Sequence, residues 1–250
     1  MPLAASDIQW WAASVFPIDD SIQNIGGGID LTKKIIFTRL GTLSTLEMLS
    51  SDAGDTTQTV TVYYLDAAGV LQSDTKTLNG VSVVAFTGNM LTFLRCVKSA
   101  GTTGTVTIRK ASAGATIVTL EPTVLGAQMP HYNPLIDQSA EKVYVDKVFV
   151  KNTHATIALT LATLAIVADP QSTITFALEA ALNGTGTNGA GNNRQVLPSG
   201  FTFDTTTKSL ANGGILTAGA AQGFWIKKLL TAAKAPFDDT YTFRLGGISA

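Results

Sequence analysis

Residues 57–65 read Thr-Gln-Thr-Val-Thr-Val-Tyr-Tyr-Leu, and within them Val60, Val62 and Tyr64 alternate with Thr59, Thr61 and Tyr63. A period of two places the apolar members on one face and the hydroxyls on the other, which is the signature of a half-buried β-strand. After Asp66-Ala67-Ala68-Gly69 the pattern continues over residues 70–78, turns at Asn79-Gly80 and resumes over 81–86. Asn-Gly between two such runs predicts a hairpin, because both residues accept positive φ. Further strands are expected at 91–98 and 105–109, then at 143–151, 156–161, 172–179, 223–229 and 240–245. In the last of these, Tyr241, Phe243 and Leu245 should face a core while Thr242 and Arg244 face out. Short strands with turns every 8–12 residues predict an all-β chain built as antiparallel sandwiches, Ig-like or jelly-roll-like.

Composition says how such a chain is covered. Its 35 threonines equal all of Asp, Glu, Lys and Arg together, 17 basic and 18 acidic residues in 250. Hydroxyls, amides and backbone must therefore cover a surface that other proteins cover with ions. A formal net charge of −1 removes the field that nucleic-acid binders use, so DNA and RNA are not expected partners. Cys96 stands alone, which excludes an intrachain disulfide and a CxxC pair; it reads as a small buried hydrophobe rather than a reactive thiol. The start, Met1-Pro2-Leu3-Ala4-Ala5-Ser6-Asp7, lacks a basic region followed by an apolar one, so synthesis in the cytoplasm without a signal peptide is expected. The longest uncharged apolar stretch, 152–168, is short for a membrane span and is interrupted by four threonines. Mean hydropathy is nonetheless positive, at +0.25. The apolar excess is expected in cores and in contacts between subunits.

Prolines set the expected domain plan. Only Pro2 and Pro17 precede residue 120, whereas Pro122, Pro130 and Pro134 fall close together. Two tandem β-sandwich domains are expected: residues 1–120 with an extended N-terminal segment, a Pro-containing strap at 121–140, and residues 141–250. Residues 183–200, rich in Gly, Asn and Thr, form a long loop.

The chemical motifs are weak. Gly184-Thr185-Gly186-Thr187-Asn188-Gly189 fits G-x-G-x-x-G after a strand, but Ala190-Gly191-Asn192-Asn193-Arg194 offers no helix N-terminus for a pyrophosphate. Asn183-Gly184-Thr185 fits a glycosylation acceptor by chance. His131 and His154 are the only histidines, and neither has a metal-binding motif or a triad around it. Asp19-Asp20 and Asp238-Asp239 lack the spacing of a calcium loop. Trp10-Trp11 and Phe224-Trp225 are expected to divide between core and interface rather than to stack on sugars. Gly26-Gly27-Gly28 reads as a tight turn. No catalytic, cofactor or metal-ligating residue is assigned.

The N-terminal pattern, Trp11-Ala12-Ala13-Ser14, Asp19-Asp20-Ser21 and Asn24-Ile25-Gly26-Gly27-Gly28-Ile29, resembles that of a group of tailed-bacteriophage virion proteins. The likeness extends to the Thr-rich hairpins of 57–86, to 183–194 and to Ala218-Gly219-Ala220-Ala221-Gln222-Gly223-Phe224-Trp225-Ile226. It implies a structural, non-enzymatic virion protein, made in the host cytoplasm, decorating or cementing a capsid and partnered by the major capsid protein, other virion proteins and copies of itself. In that picture the strap and residues 1–29 reach over neighbouring subunits. The alternative is a neck, tail or fibre component that binds a receptor or carbohydrate, which predicts an exposed Trp or Tyr in a shallow groove. A glycan hydrolase would need two carboxylates facing each other across a cleft.

Overall fold

The computed structural model describes residues 2–18, 22–36, 39–131, 140–232 and 241–249. Among them the chain is almost entirely β. The strands are β1 (Ile8–Val15), β2 (Gly26–Ile35), β3 (Leu46–Ser50), β4 (Thr59–Leu65), β5 (Leu71–Thr77), β6 (Val84–Ala85), β7 (Thr92–Lys98), β8 (Val106–Lys110), β9 (Thr116–Leu120) and β10 (Gly126–Gln128). There follow β11 (Lys142–Asn152), β12 (Leu159–Ala168), β13 (Ile174–Leu182), β14 (Lys208–Ser209), β15 (Ala221–Leu230) and β16 (Thr242–Ser249). Several antiparallel sheets result, as β-sandwich domains require.

The chain divides into two compact units. The first joins Met1–Asp30 to Leu135–Ala250, and the second is Leu31–Pro134. The prolines had suggested a division at 121–140; the units instead put the N-terminal segment with the C-terminal half. The reason is strand pairing, since β1 runs antiparallel to β11 from Ile8 opposite Asn152 to Ala12 opposite Val148. Residues 8–15 are thus a sheet strand, not an extended arm.

In the first unit the sheet order is β13-β15-β11-β1, with the glycine start of β2 beyond β1. A smaller sheet, β14-β12-β16, packs on it through aromatic edges: Phe243 lies 5.4 Å from Phe176 and 5.3 Å from Phe224, ring centre to ring centre. Tyr241, Phe243 and Leu245 are half-buried and Thr242 and Arg244 exposed, the alternation expected of β16. β12 begins at Leu159 rather than 156 because the Nδ1 of His154 accepts the N–H groups of Thr156 and Ile157, turning the chain there.

In the second unit the residues Lys33–Ile35 of β2 pair with β10, and the order continues β10-β7-β4-β5. Its second sheet is β6-β3-β8-β9. Val60, Val62 and Tyr64 of β4 are buried, as are Leu46 and Met48 of β3 and Val106 and Ile108 of β8. Three local expectations change across the two units. Asn79-Gly80 is a turn, with Gly80 at φ +56° and Asn79 bridged to Ser82. The strands on either side do not pair with each other: β5 pairs with β4, and β6 with β3. The turn therefore carries the chain from one sheet to the other, which leaves only Val84–Ala85 of the expected 81–86 as strand. Gly26-Gly27-Gly28 opens β2 instead of forming a tight turn; Gly26 and Gly27 have φ +110° and +84°, and the Gly27 N–H donates to the Gly186 carbonyl at 3.0 Å. Within the expected strap, Gly126–Gln128 is the buried strand β10, parallel to β2 and antiparallel to β7. Of the rest of the strap, residues 132–139 lie outside the described residues.

Candidate functional site

The most elaborate chemistry in the first unit holds the loop 183–200. On β11 the adjacent Asp146 and Lys147 sit inside an otherwise apolar run, and both are fully buried. Strand geometry points them to opposite faces of the sheet. Lys147 shares its face with Trp225, directly opposite it on β15, and with Glu179 of β13. Its ammonium lies 2.7 Å from the Glu179 carboxylate and donates to the Gly184 and Gly186 carbonyls at 3.1 and 2.9 Å. Trp225 Nε1–H donates to the same carboxylate at 3.1 Å. On the other face the Arg194 guanidinium, brought in by the loop, donates to both Asp146 carboxylate oxygens at 3.2 and 3.3 Å and lies 5.1 Å from the Tyr144 ring. The loop also pairs with β11 beyond its pairing with β1, where the Val145 N–H donates to the Arg194 carbonyl at 2.7 Å. Asn188 closes it internally by donating to the Asn193 and Val196 carbonyls.

Burial pushes the Lys147 amine below its ordinary range, and the Glu179 carboxylate pulls it back up. A buried lysine of this kind is a usual candidate for amine chemistry. Here an ammonium's three N–H donors have three acceptors, so the group is saturated and works as a bracket for two carbonyls. The same geometry settles the glycine motif. Gly184 and Gly186 aim carbonyl oxygens at a cation, the opposite polarity to a phosphate cradle built of N–H groups.

Two open grooves lie in this unit. One, of about 590 Å³, follows β13 along Ala177, Leu178 and Ala180 and is walled by Gly200, Phe201 and Lys208. Lys208 is engaged by Asp204 at 2.8 Å; that contact and the Thr206 hydroxyl hold the Asp204 carboxyl at about 2. The other, of about 300 Å³, is lined by Leu3, Ile8, Trp10, Leu159 and Leu245. Trp10 is half-buried there, edge-on to Phe224 at 5.9 Å, while Trp11, Phe224 and Trp225 are buried.

The second unit uses carboxylates. Buried Glu47 accepts from Arg109 Nε at 2.7 Å and from the N–H groups of Ser112 and Ala113 at 3.0 Å each. These two residues have φ +61° and +55°, so the carboxylate holds a strained turn. Buried Asp55 accepts from the Ser50 hydroxyl at 2.5 Å and from the Thr103 and Gly104 N–H groups at 2.9 Å. Burial acts to raise both carboxyls, but for Asp55 the Ser50 hydroxyl and the two amides, and for Glu47 the turn amides and Arg109, leave them below the ordinary range. Buried Lys98 donates to the Glu121 and Pro122 carbonyls at 3.0 and 3.1 Å.

The other residues singled out from sequence fall as follows. Cys96 is buried and its thiol is pushed up to about 12 by that burial. Asn183 accepts the Ala221 N–H through its side-chain oxygen. Asp19-Asp20 and Asp238-Asp239 lie outside the described residues, among which no group of three His, Cys, Asp or Glu side chains is placed to hold a metal ion. Sequence reasoning missed Asp146, Lys147 and Glu179. Their signal was there: two charges within Val145 to Val150 need partners if the strand is buried on both faces.

No family model and no curated protein matches the chain. Weak structural neighbours are viral capsid particles. One is the T=1 particle derived from infectious bursal virus, at 9% identity and TM-score 0.17, covering 98% of this chain and 65% of that one. Another is the VP2 subviral particle of infectious bursal disease virus, at 10% identity and TM-score 0.15, covering 100% and 68%. The chain thus spans about two thirds of the length of these neighbours. Superposition at that level carries no argument about function, which rests on the geometry above.

Proposed function

We propose that the chain is a non-enzymatic structural protein of a bacteriophage virion, one that decorates the capsid and stabilises the head by bridging neighbouring subunits. The observation that carries a structural role is an apolar end on the second unit. Leu43, Val70, Leu71 and Leu91 are exposed there. Backbone pairing gathers them: Ser44 bridges Met90, which sets Leu43 beside Leu91; the Leu91 N–H donates to the Leu65 carbonyl at 2.8 Å; and Leu65 pairs with Leu71. Clustered apolar surface of this kind is typical of protein contacts. The buried ionisable groups support the same reading, because each is spent on fixing a loop or turn. The resemblance to tailed-phage proteins supports the virion.

The partners are then the major capsid protein or other virion proteins and further copies of the chain, with no role for nucleic acid or membrane. Since residues 8–15 are built into a sheet, bridging falls to the apolar end rather than to an N-terminal arm. Quantitative mass spectrometry of purified particles tests this: capsid-wide decoration requires on the order of hundreds of copies, repeated by the lattice symmetry. Absence from particles overturns the virion reading, and a few copies move it to a neck, tail or fibre.

The second reading, a receptor- or carbohydrate-binding module, is favoured by the half-buried Trp10 in its shallow groove. Saturable change of tryptophan fluorescence on titration with oligosaccharides, lost in Trp10→Ala, is its expected result.

A further inference from the structure

The strand β5 ends the sheet order of the second unit, and its pairing with β4 fixes which way each peptide group points. The Asp66 N–H donates to the Val70 carbonyl and the Leu78 N–H to the Gln58 carbonyl. Counting by twos between these anchors, Gln72, Asp74 and Lys76 bond to β4, and Leu71, Ser73, Thr75 and Thr77 turn their N–H and C=O groups outward. All four of those residues are exposed, and among the described residues no backbone group pairs with them. This is an open edge of seven residues without a proline or bulge, the kind that other proteins blunt.

We propose that this edge pairs with the same edge of a second copy, antiparallel about Thr75, so that the two sheets become continuous. The sequence Asp74-Thr75-Lys76 selects this occupant and this register. A two-fold axis through Thr75 sets Asp74 opposite Lys76 of the second copy, and Lys76 opposite its Asp74, giving two cross-strand opposite-charge pairs on one face. Ser73 and Thr77 come opposite each other on the other face. With Thr75 facing itself, the outward residues exchange about six backbone hydrogen bonds. The register one step along, centred on Asp74, would set two carboxylates face to face. Within one chain Asp74 and Lys76 already lie 3.4 Å apart, with Lys76 the more exposed of the two and the other Asp74 oxygen accepting from the Thr87 N–H and hydroxyl; the second copy adds its own pair beside this one. The proposal deepens the assembly reading by naming a surface, but it stands on the edge geometry and not on the virion.

The test is sedimentation equilibrium of the full chain from about 1 μM to about 1 mM, since an edge contact lies at the small end of specific interfaces. Reversible dimers are expected. Thr75→Pro removes one outward N–H, no backbone hydrogen bond to β4 and only the exposed hydroxyl contact with Thr61 at 2.8 Å, so it should leave the far-ultraviolet spectrum unchanged and weaken association at least tenfold. Lys76→Asp makes both cross-strand charge pairs acidic and should weaken it similarly. Hydrogen exchange should slow at Ser73, Thr75 and Thr77 on association. A chain that stays monomeric throughout, or variants that dimerise like the parent with no protection at those amides, overturns the proposal. Particle copy number is read separately, so either idea can fail alone.

Discussion

The two units hold their irregular segments by different means. In the first, a loop of some eighteen residues (183–200) is pinned by two buried ion pairs, Lys147–Glu179 on one face of the sheet and Arg194–Asp146 on the other. In the second, short turns are each held by one carboxylate that accepts neighbouring N–H groups, Glu47 for 112–113 and Asp55 for 103–104. The difference teaches how cost follows loop length. A two-residue turn leaves a couple of N–H groups without a ladder, and a single acceptor satisfies them. A long loop leaves carbonyls facing a core, where only a buried cation reaches them, and that cation must then be neutralised in turn.

Breaking the first arrangement should have the largest effect. Lys147→Met leaves Glu179 buried with only Trp225, strands the Gly184 carbonyl and leaves that of Gly186 with the Gly27 N–H alone, so denaturant unfolding should show a loss of about 3–5 kcal/mol; a loss below about 1 kcal/mol would mean the pair contributes little. Arg194→Met should cost about 3 kcal/mol for the same reason and expose 183–200 to proteases while amide protection in 31–134 is unchanged. Combined, the two substitutions should cost less than their sum, because the loop can be freed only once.

The second arrangement should yield less. Glu47→Gln keeps the shape but removes the charge and puts an NH2 that cannot accept in place of one carboxylate oxygen, for a loss of about 1–2 kcal/mol. Acid sharpens the contrast. With folded values depressed below the ordinary 4.5 for Glu47 and 3.8 for Asp55, their stabilisation is complete above those pH values and is lost as pH falls through the lower folded ones. Protection of the amides of Ser112, Ala113, Thr103 and Gly104 should therefore fade below about pH 4. The smallest effect is expected for Ala113→Gly: relief of the positive φ outweighs the added freedom of the unfolded chain, giving a gain of about 0.5 kcal/mol in thermal unfolding.

Much of the fold was legible in the chain. Alternation located β4, β5, β7, β8, β11, β13, β15 and β16 to within a few residues, because a two-residue period reports burial of one face directly. β1, β3 and β9 escaped notice, as did β10 and the start of β2, whose character comes from a neighbour. β10 is three residues, Gly-Ala-Gln, and is a strand only because β2 and β7 lie on either side of it. The glycine start of β2 is extended because Gly186 and Ser14 crowd it, in positions where a side chain would collide. Asn79-Gly80 was rightly a turn, yet the choice between pairing its flanks and sending them to different sheets depends on β3 and β4, which lie far from the turn in sequence. The candidate site was less legible: Asp146 and Lys147 could be seen as charges in an apolar strand, but their mates are 32 or more residues away.

What the sequence by itself determined is the all-β class, the faces of the regular strands, the burial of Cys96 and the loop at 183–200, since each follows from local pattern and composition. Only the tertiary structure decided that residues 8–15 join the sheet of the C-terminal half, that a buried lysine faces the glycines of the loop, and that β5 is left as an open edge. Those outcomes depend on which distant strands find each other, and pairing energy between strands is set by matched faces and hydrogen-bond ladders that no single segment contains.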